Sequence, residues 1–107
     1  MTGRVYISGA ITGVADYLEW FSLAEGEMKA LGYHVINPAR VMAELPADAM
    51  LYDDYIDVSL CLLRMCDAIY MIPGWEDSRG ANLEYTYARC VDMVVIEEGD
   101  DGKLVYS

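Results

Sequence analysis

Basic residues are scarce in this chain of 107 residues. Seven Lys and Arg stand against 18 Asp and Glu, which gives a formal net charge of −11. Because DNA, RNA and anionic membranes bind proteins through clustered Lys and Arg, this balance argues against nucleic acid or a membrane as the main partner. A small phosphorylated ligand stays compatible with it, since backbone N–H groups can hold a phosphate.

Long apolar runs, cysteine and histidine are scarce as well. No run of 18 apolar residues exists and residues 1–5 lack the apolar region of a signal peptide, so we expect neither a membrane span nor export. Three cysteines, an odd number, lie in apolar patterns and predict buried, reduced thiols of a cytoplasmic protein: Cys61, Cys66 and Cys90. With His34 as the single histidine and no C-x-x-C pair, we expect no metal site.

Apolar residues, in contrast, are abundant. They form 55% of the chain, against 23% charged residues, so burial can offset the entropy that keeps poorly hydrophobic chains disordered. At about 100–150 residues per domain, residues 1–107 are predicted to form a single domain.

Short apolar runs alternate with helical periodicity along the chain. Strands are predicted at 4–8, 33–37, 67–72 and 93–97, with 103–106 as a candidate antiparallel edge strand. A first helix is predicted to begin at Asp16, with Glu19 completing a capping box, and to end at Gly32. A helical turn is predicted near 40–44, and two further helices are predicted at 50–65 and 79–91. This alternation predicts a flavodoxin-like three-layer α/β/α fold with a four-stranded parallel sheet in the order 2-1-3-4.

Ligands of such folds lie at the carboxyl ends of the strands, between the first and third strand. The loop after the first strand contains Ser8, Gly9 and Thr12, and Tyr6 lies on the strand before it. Glycine lets the backbone approach a ligand closely, and the hydroxyls can bind it. A plain tight connection between strand and helix explains the same loop equally well.

The loop after the third strand is more informative. Ser78 and Gly80 lie where a helix begins, and free N–H groups there favour an anion beside Arg79. Glu84 lies about one turn further on, where we expect the helix N-terminus to keep it ionised as a nucleophile. Trp75 offers a surface for stacking a base. The alternatives are a helix cap at Ser78, a solvated carboxylate at Glu84 and a core anchor at Trp75.

The helix at 50–65 has two contrasting halves. Its first half carries Asp53, Asp54 and Asp57, which are candidates for a general acid or for simple helix-dipole complementarity. Its second half, between Val58 and Leu63, is apolar nearly all round, which predicts burial by the sheet and by a second subunit in a homo-oligomer.

Several segments together resemble the nucleoside 2-deoxyribosyltransferase-like superfamily, most closely its short phage and bacterial members. The resemblance runs in order along nearly the whole chain, and its most specific part is the S-x-G-x-x-x-E run after a strand. The segments are YISGAITG (6–13), NP (37–38), CDAIY (66–70), GW (74–75) and SRGANLE (78–84).

The resemblance implies cleavage of the N-glycosidic bond of a nucleoside or nucleotide, without a cofactor. Glu84 matches the glutamate that attacks the anomeric carbon, and Tyr6 matches the tyrosine that orients it. Transferases of this superfamily carry an aspartate that binds the sugar at the position of Ser78. The serine found here instead resembles that of the hydrolases of deoxynucleoside 5′-monophosphates, in which a serine at this position holds the phosphate. Ser8 and Gly9 match the loop around the sugar.

One position departs from the pattern of this superfamily. Its members often carry an aspartate eight residues before the aspartate of the third strand, which here is Asp67. That position is Ser59, and Asp57 is the candidate to replace the acid.

Two further hypotheses therefore stand beside the enzyme. The departure at Ser59 favours a non-catalytic protein that binds a nucleotide derivative. A flavodoxin-type FMN protein is the third, on a loose likeness of residues 10–13 to a flavin phosphate loop.

Overall fold

A computed structural model describes residues 3–107 of the chain. The expectations for residues 1 and 2 lie outside the described part. The elements, in chain order, are β1 (Arg4–Ser8), α1 (Tyr17–Ala30), β2 (His34–Ile36), α2 (Pro38–Ala43), a 3₁₀ turn (Ala47–Ala49), α3 (Tyr52–Leu63), β3 (Ala68–Met71), a second 3₁₀ turn (Trp75–Asp77), α4 (Arg79–Cys90), β4 (Val94–Glu98) and β5 (Leu104–Tyr106).

One sheet joins all five strands in the order β2-β1-β3-β4-β5. β1 pairs in parallel with β2 and β3, and β3 pairs in parallel with β4. β5 runs antiparallel to β4 at the edge. The predicted α/β fold, strand order and antiparallel edge strand are all confirmed.

Helices cover both faces of the sheet, which gives the three layers. Because side chains alternate along a strand, Val5 and Ile7 of β1 point to one face, where they pack with Phe21 and Met28 of α1. Tyr6 points to the opposite face, where the buried side chains of α3 and α4 pack. The ends of β1 and β3 therefore open between α1 on one side and α3 and α4 on the other.

The ends of α1 follow the sequence only in part. Gly32 ends the helix with φ of +96°, a left-handed conformation that glycine adopts without strain. Asp16 stands at the N-cap, but its side chain makes no capping hydrogen bond, so the predicted capping box is wrong. Trp20 is half exposed, although its spacing predicts the buried face.

The three cysteines are free, and only Cys66 is buried. Cys61 and Cys90 lie on the outer faces of α3 and α4, so the prediction of three buried thiols is wrong for two of them. Burial raises the pKa of Cys66 to about 11. Among the described residues, no helix combines the length and the hydrophobicity that crossing a bilayer requires.

Candidate active site

Glu84 lies in the second turn of α4, and its side chain is buried against the sheet. The helix starts at Ser78, whose Oγ accepts a hydrogen bond of 3.1 Å from the backbone N–H of Ala81. This cap satisfies one of the free donors of the first turn and fixes where the helix begins. The start in turn determines that Ala81, Glu84 and Ala88, at helical spacing, face the sheet.

Two hydroxyl groups of β1 hold the Glu84 carboxylate. Tyr6 donates from its hydroxyl to Oε2 at 2.5 Å, and Ser8 donates from Oγ to Oε1 at 2.6 Å. Both side chains lie on the same face of the strand because they are two residues apart. Each carboxylate oxygen thus has one donor and keeps a further lone pair.

Burial raises the pKa of Glu84, because a charged carboxylate loses hydration there. Hydrogen bonds from Ser8 and Tyr6 act in the opposite direction and reduce this rise. The pKa of Glu84 therefore lies above its ordinary value, because the effect of burial exceeds that of the groups that stabilise the charged form. Burial and the nearby carboxylate also raise the pKa of Tyr6, which keeps its hydroxyl protonated as a donor.

Ser59, not Asp57, is the α3 residue beside the carboxylate. Ser59 is 3% exposed and lies in the same cavity wall as Glu84 and Tyr6, and its Oγ donates to the carbonyl of Ile56 at 3.0 Å. Asp57 is exposed and absent from the walls of the cavity described below, because two residues along a helix turn the side chain by about 200°. The proposed replacement of the missing acid by Asp57 is thus not supported by its position.

A cavity of about 690 Å³ adjoins Glu84, within the range of about 300–1,000 Å³ common for small-molecule sites. Its polar walls include Ser59, Ser78 and Thr12, and Gly9 and Gly80 contribute backbone. Most of the wall is apolar or aromatic, with these side chains among others: Tyr6, Ile11, Tyr17, Phe21, Met42, Leu45, Tyr52, Tyr55 and Ile56.

A second cavity of about 590 Å³ shares Thr12, Tyr52, Ser78 and Gly80 with the first. It adds Arg79, whose guanidinium lies 5.6 Å from the centre of the Tyr52 ring. The start of α4, the Arg79 guanidinium and the Asp77 side chain therefore line the same space, in which the N–H groups and the guanidinium favour an anion.

Two other predicted binding residues have structural partners. Trp75 is absent from both cavities: its ring stacks on Tyr85 at 4.8 Å, and its Nε1 donates to Glu97 at 3.1 Å. The structure places Trp75 in the core, as the alternative of a core anchor expects, and this position does not support stacking of a base. Gly9 lines the cavity, but a Cβ there would also lie 3.0 Å from the Cβ of Ile72, so packing against Ile72 by itself disfavours a larger residue.

Some residues of the cavity wall were not among the site residues predicted from the sequence. α2 contributes Pro38, Ala39 and Met42 to this wall. Its start is fixed by Asn37, whose Oδ1 accepts from the Ala39 N–H at 3.0 Å. The signal was the Asn-Pro pair, a helix cap followed by a proline at the first helical position.

The sequence model of a family described as "Domain of unknown function (DUF4406)" matches residues 3–97. The match covers most of the chain, so the protein belongs to this family. No curated protein matches the sequence.

Proposed function

We propose that the protein cleaves the N-glycosidic bond of a nucleoside or nucleotide, with Glu84 as the nucleophile. The observation that carries this proposal is the buried Glu84 carboxylate at the cavity wall, held at 2.5 and 2.6 Å by Tyr6 and Ser8. A carboxylate fixed in this way can attack an anomeric carbon that approaches from the cavity.

The reaction proceeds in two steps with retention at the anomeric carbon. Glu84 attacks as the base departs, and its negative charge stabilises the oxocarbenium-like transition state. Water or a second base then takes the sugar from the glutamyl ester and restores the carboxylate. Tyr6 and Ser8 hold the carboxylate in place throughout.

The second cavity supports a 5′-phosphate on the sugar. Ser78, Arg79 and Gly80 lie at the start of α4, where backbone N–H groups and the guanidinium favour an anion. Ser8, Gly9 and Thr12 complete the loop on the sugar side. A deoxynucleoside 5′-monophosphate N-glycosidase or a deoxyribosyltransferase of the nucleoside 2-deoxyribosyltransferase-like type is the activity we propose.

We further propose a cytoplasmic homo-oligomer. The cytoplasmic location rests on the three free cysteines. The oligomer rests on a partly exposed apolar stripe along α3 that includes Val58, Cys61 and Leu62 and continues to Met65.

The experiment is incubation with nucleosides and with nucleoside and deoxynucleoside 5′-monophosphates, followed by chromatography for free base. Wild type is expected to release base, and Glu84→Gln to be slower by about 10³-fold or more, because the nucleophile is gone. Glu19→Gln, an exposed carboxylate on α1, is the matched control and should retain the wild-type rate. Equal release by wild type and Glu84→Gln would contradict the role of Glu84.

A second candidate function is binding of a nucleotide derivative without turnover. The observation that favours it is Ser59, a neutral side chain beside Glu84 where a catalytic acid would stand. Nucleotide that co-purifies with the protein in stoichiometric amount and is recovered intact after prolonged incubation would support this candidate. Multiple turnovers would exclude it.

A further inference from the structure

Cleavage of an N-glycosidic bond leaves the bonding electron pair on the base nitrogen. A neutral base therefore departs as an anion unless an acid protonates it, and a positioned general acid contributes about 10²- to 10⁴-fold to such a step. A base that is already a quaternary cation departs as a neutral molecule and needs no proton. The acids around the cavity thus determine which bases can leave.

Among residues 3–107, Glu84 is the only Asp, Glu, His, Lys or Arg side chain that lines the cavity beside it. Glu84 cannot protonate the base while it attacks the sugar. The hydroxyl of Tyr6 is engaged with the carboxylate, and its raised pKa makes it a poor acid. Ser59 offers only a hydroxyl, whose hydrogen is donated to the carbonyl of Ile56 at 3.0 Å. The other titratable groups of the wall are the phenol hydroxyls of Tyr17, Tyr52 and Tyr55, and a phenol is a far weaker acid than a carboxylic acid.

The same walls suit a flat cation. The cavity carries the aromatic rings of Tyr6, Tyr17, Phe21, Tyr52 and Tyr55. Aromatic faces attract cations, with a larger effect where water is excluded. The Glu84 carboxylate lies in the same wall and adds a local attraction for a positive charge on the base.

We infer that the preferred substrates are nucleosides or nucleotides with a quaternary, cationic base, such as a pyridinium or an N7-alkylated purine. This inference rests on the proposed function and specifies its substrate class. In the first step the C1–N bond breaks, its electron pair neutralises the base, and a bond forms between C1 and a Glu84 oxygen. In the second step water attacks C1, the ester bond breaks, the carboxylate is restored and one proton passes to solvent.

The test compares pairs of substrates that differ in the charge of the base. The first pair is guanosine 5′-monophosphate and its N7-methyl derivative, and the second is adenosine 5′-monophosphate and nicotinamide mononucleotide. We expect kcat/KM for base release to be at least about 100-fold higher for the cationic member of each pair, the lower end of a general-acid contribution. Glu84→Gln should abolish both activities.

Ser59→Asp and Ser59→Ala provide a second measurement. The aspartate places an acid beside the leaving base, so the ratio between cationic and neutral substrates should fall in Ser59→Asp. It should not fall in Ser59→Ala, which adds no acid. Circular dichroism confirms that both variants fold.

Three outcomes separate this inference from the proposed function. A ratio of about 100 or more that requires Glu84 supports both. A ratio near one, or release from the neutral nucleosides or deoxynucleotides named above but from no cationic substrate, overturns the inference and leaves the proposed function standing. Release from no substrate of either pair, nor from the nucleosides and deoxynucleotides named above, overturns both.

Discussion

At the scale of single residues, Glu84 combines burial with two short hydrogen bonds. Loss of hydration raises its pKa, while the donors Tyr6 and Ser8 stabilise the charged form and fix its direction. A nucleophile needs the charged form, so the hydroxyls of Tyr6 and Ser8 support both the ionisation and the orientation of the carboxylate.

The pH dependence of activity should therefore report on these donors. Base release by wild type should rise with pH through the raised pKa of Glu84, above the ordinary glutamate value of about 4.3. Tyr6→Phe and Ser8→Ala remove donors that lower this pKa, so their acidic limbs should move to higher pH. For Tyr6→Phe, kcat/KM should also fall by about 10- to 100-fold, as expected for a hydrogen bond to a charged group.

Tyr85→Phe is the matched control for this prediction. Tyr85 is a tyrosine of α4 whose hydroxyl bonds Arg89 and not Glu84. Its pH profile should coincide with that of wild type. Variants of Tyr6 and Ser8 with unchanged acidic limbs would show that these hydroxyls do not control the ionisation of Glu84.

At the scale of elements, the sequence predicts correctly those bounds and side-chain positions that depend only on neighbouring residues. The bounds of β1 agree with the predicted strand, and Ser78 begins α4 as its serine predicts. Tyr6 and Ser8 are two residues apart on β1, so their side chains lie on the same face of the sheet. The start of α4 at Ser78 turns Glu84 toward that same face. The central part of the candidate site follows from these local patterns.

Residues whose position depends on distant partners could not be predicted in this way. Trp75 is turned into the core by Tyr85 and by Glu97 at the end of β4, and no local pattern indicates either contact. The rotation of α3 was ambiguous because its second half is apolar nearly all round. The structure buries Ser59 and Leu63, which leaves Asp57 on the exposed side.

α2 depends on a polar network around Asn37. Besides capping α2, the buried Asn37 side chain donates from Nδ2 to Glu25 at 3.0 Å. Burial alone would raise the pKa of Glu25, but hydrogen bonds from Lys29 and Asn37 and the charge of Arg40 lower it. The network links α1 to the wall of the cavity.

Asn37→Ala should therefore destabilise the protein more than loss of a simple cap. It removes the cap and leaves the buried Glu25 with one donor fewer, an expected loss of about 2–4 kcal/mol in the free energy of unfolding. Ser78→Ala removes only a cap and should cost about 1 kcal/mol. Denaturant unfolding measures both, and equal losses would contradict the role of the Glu25 contact.

At the scale of the whole molecule, the buried Glu84 makes stability depend on pH. Its folded-state pKa lies above the unfolded value, so the folded protein binds this proton more tightly. The stability from this group is fully present below the unfolded pKa and is lost as the pH rises through the folded pKa.

Glu84→Gln should remove this loss. The difference in unfolding free energy, variant minus wild type, should increase as the pH rises from about 4 to 7, because only wild type must hold a buried charge there. Repulsion from the net charge acts on both proteins and largely cancels in the difference. Urea unfolding at several pH values measures it, and a difference that stays constant or decreases would contradict the raised pKa.

The proposed oligomer is tested on the exposed side of α3. Cys61→Glu places a charge within the apolar stripe and should convert the assembly to monomers in light scattering, because an unpaired charge is costly to bury. Cys90→Glu is the matched control on α4, since Cys90 is also exposed. Unchanged mass in Cys61→Glu would place the interface elsewhere or exclude it.

The most direct measurement of the central claim is peptide mass spectrometry on enzyme quenched in acid during turnover. Attack by Glu84 predicts a sugar attached as an ester to the peptide that contains this residue, and no such adduct in Glu84→Gln. Turnover without an adduct on that peptide, or an adduct on another residue, would contradict the account.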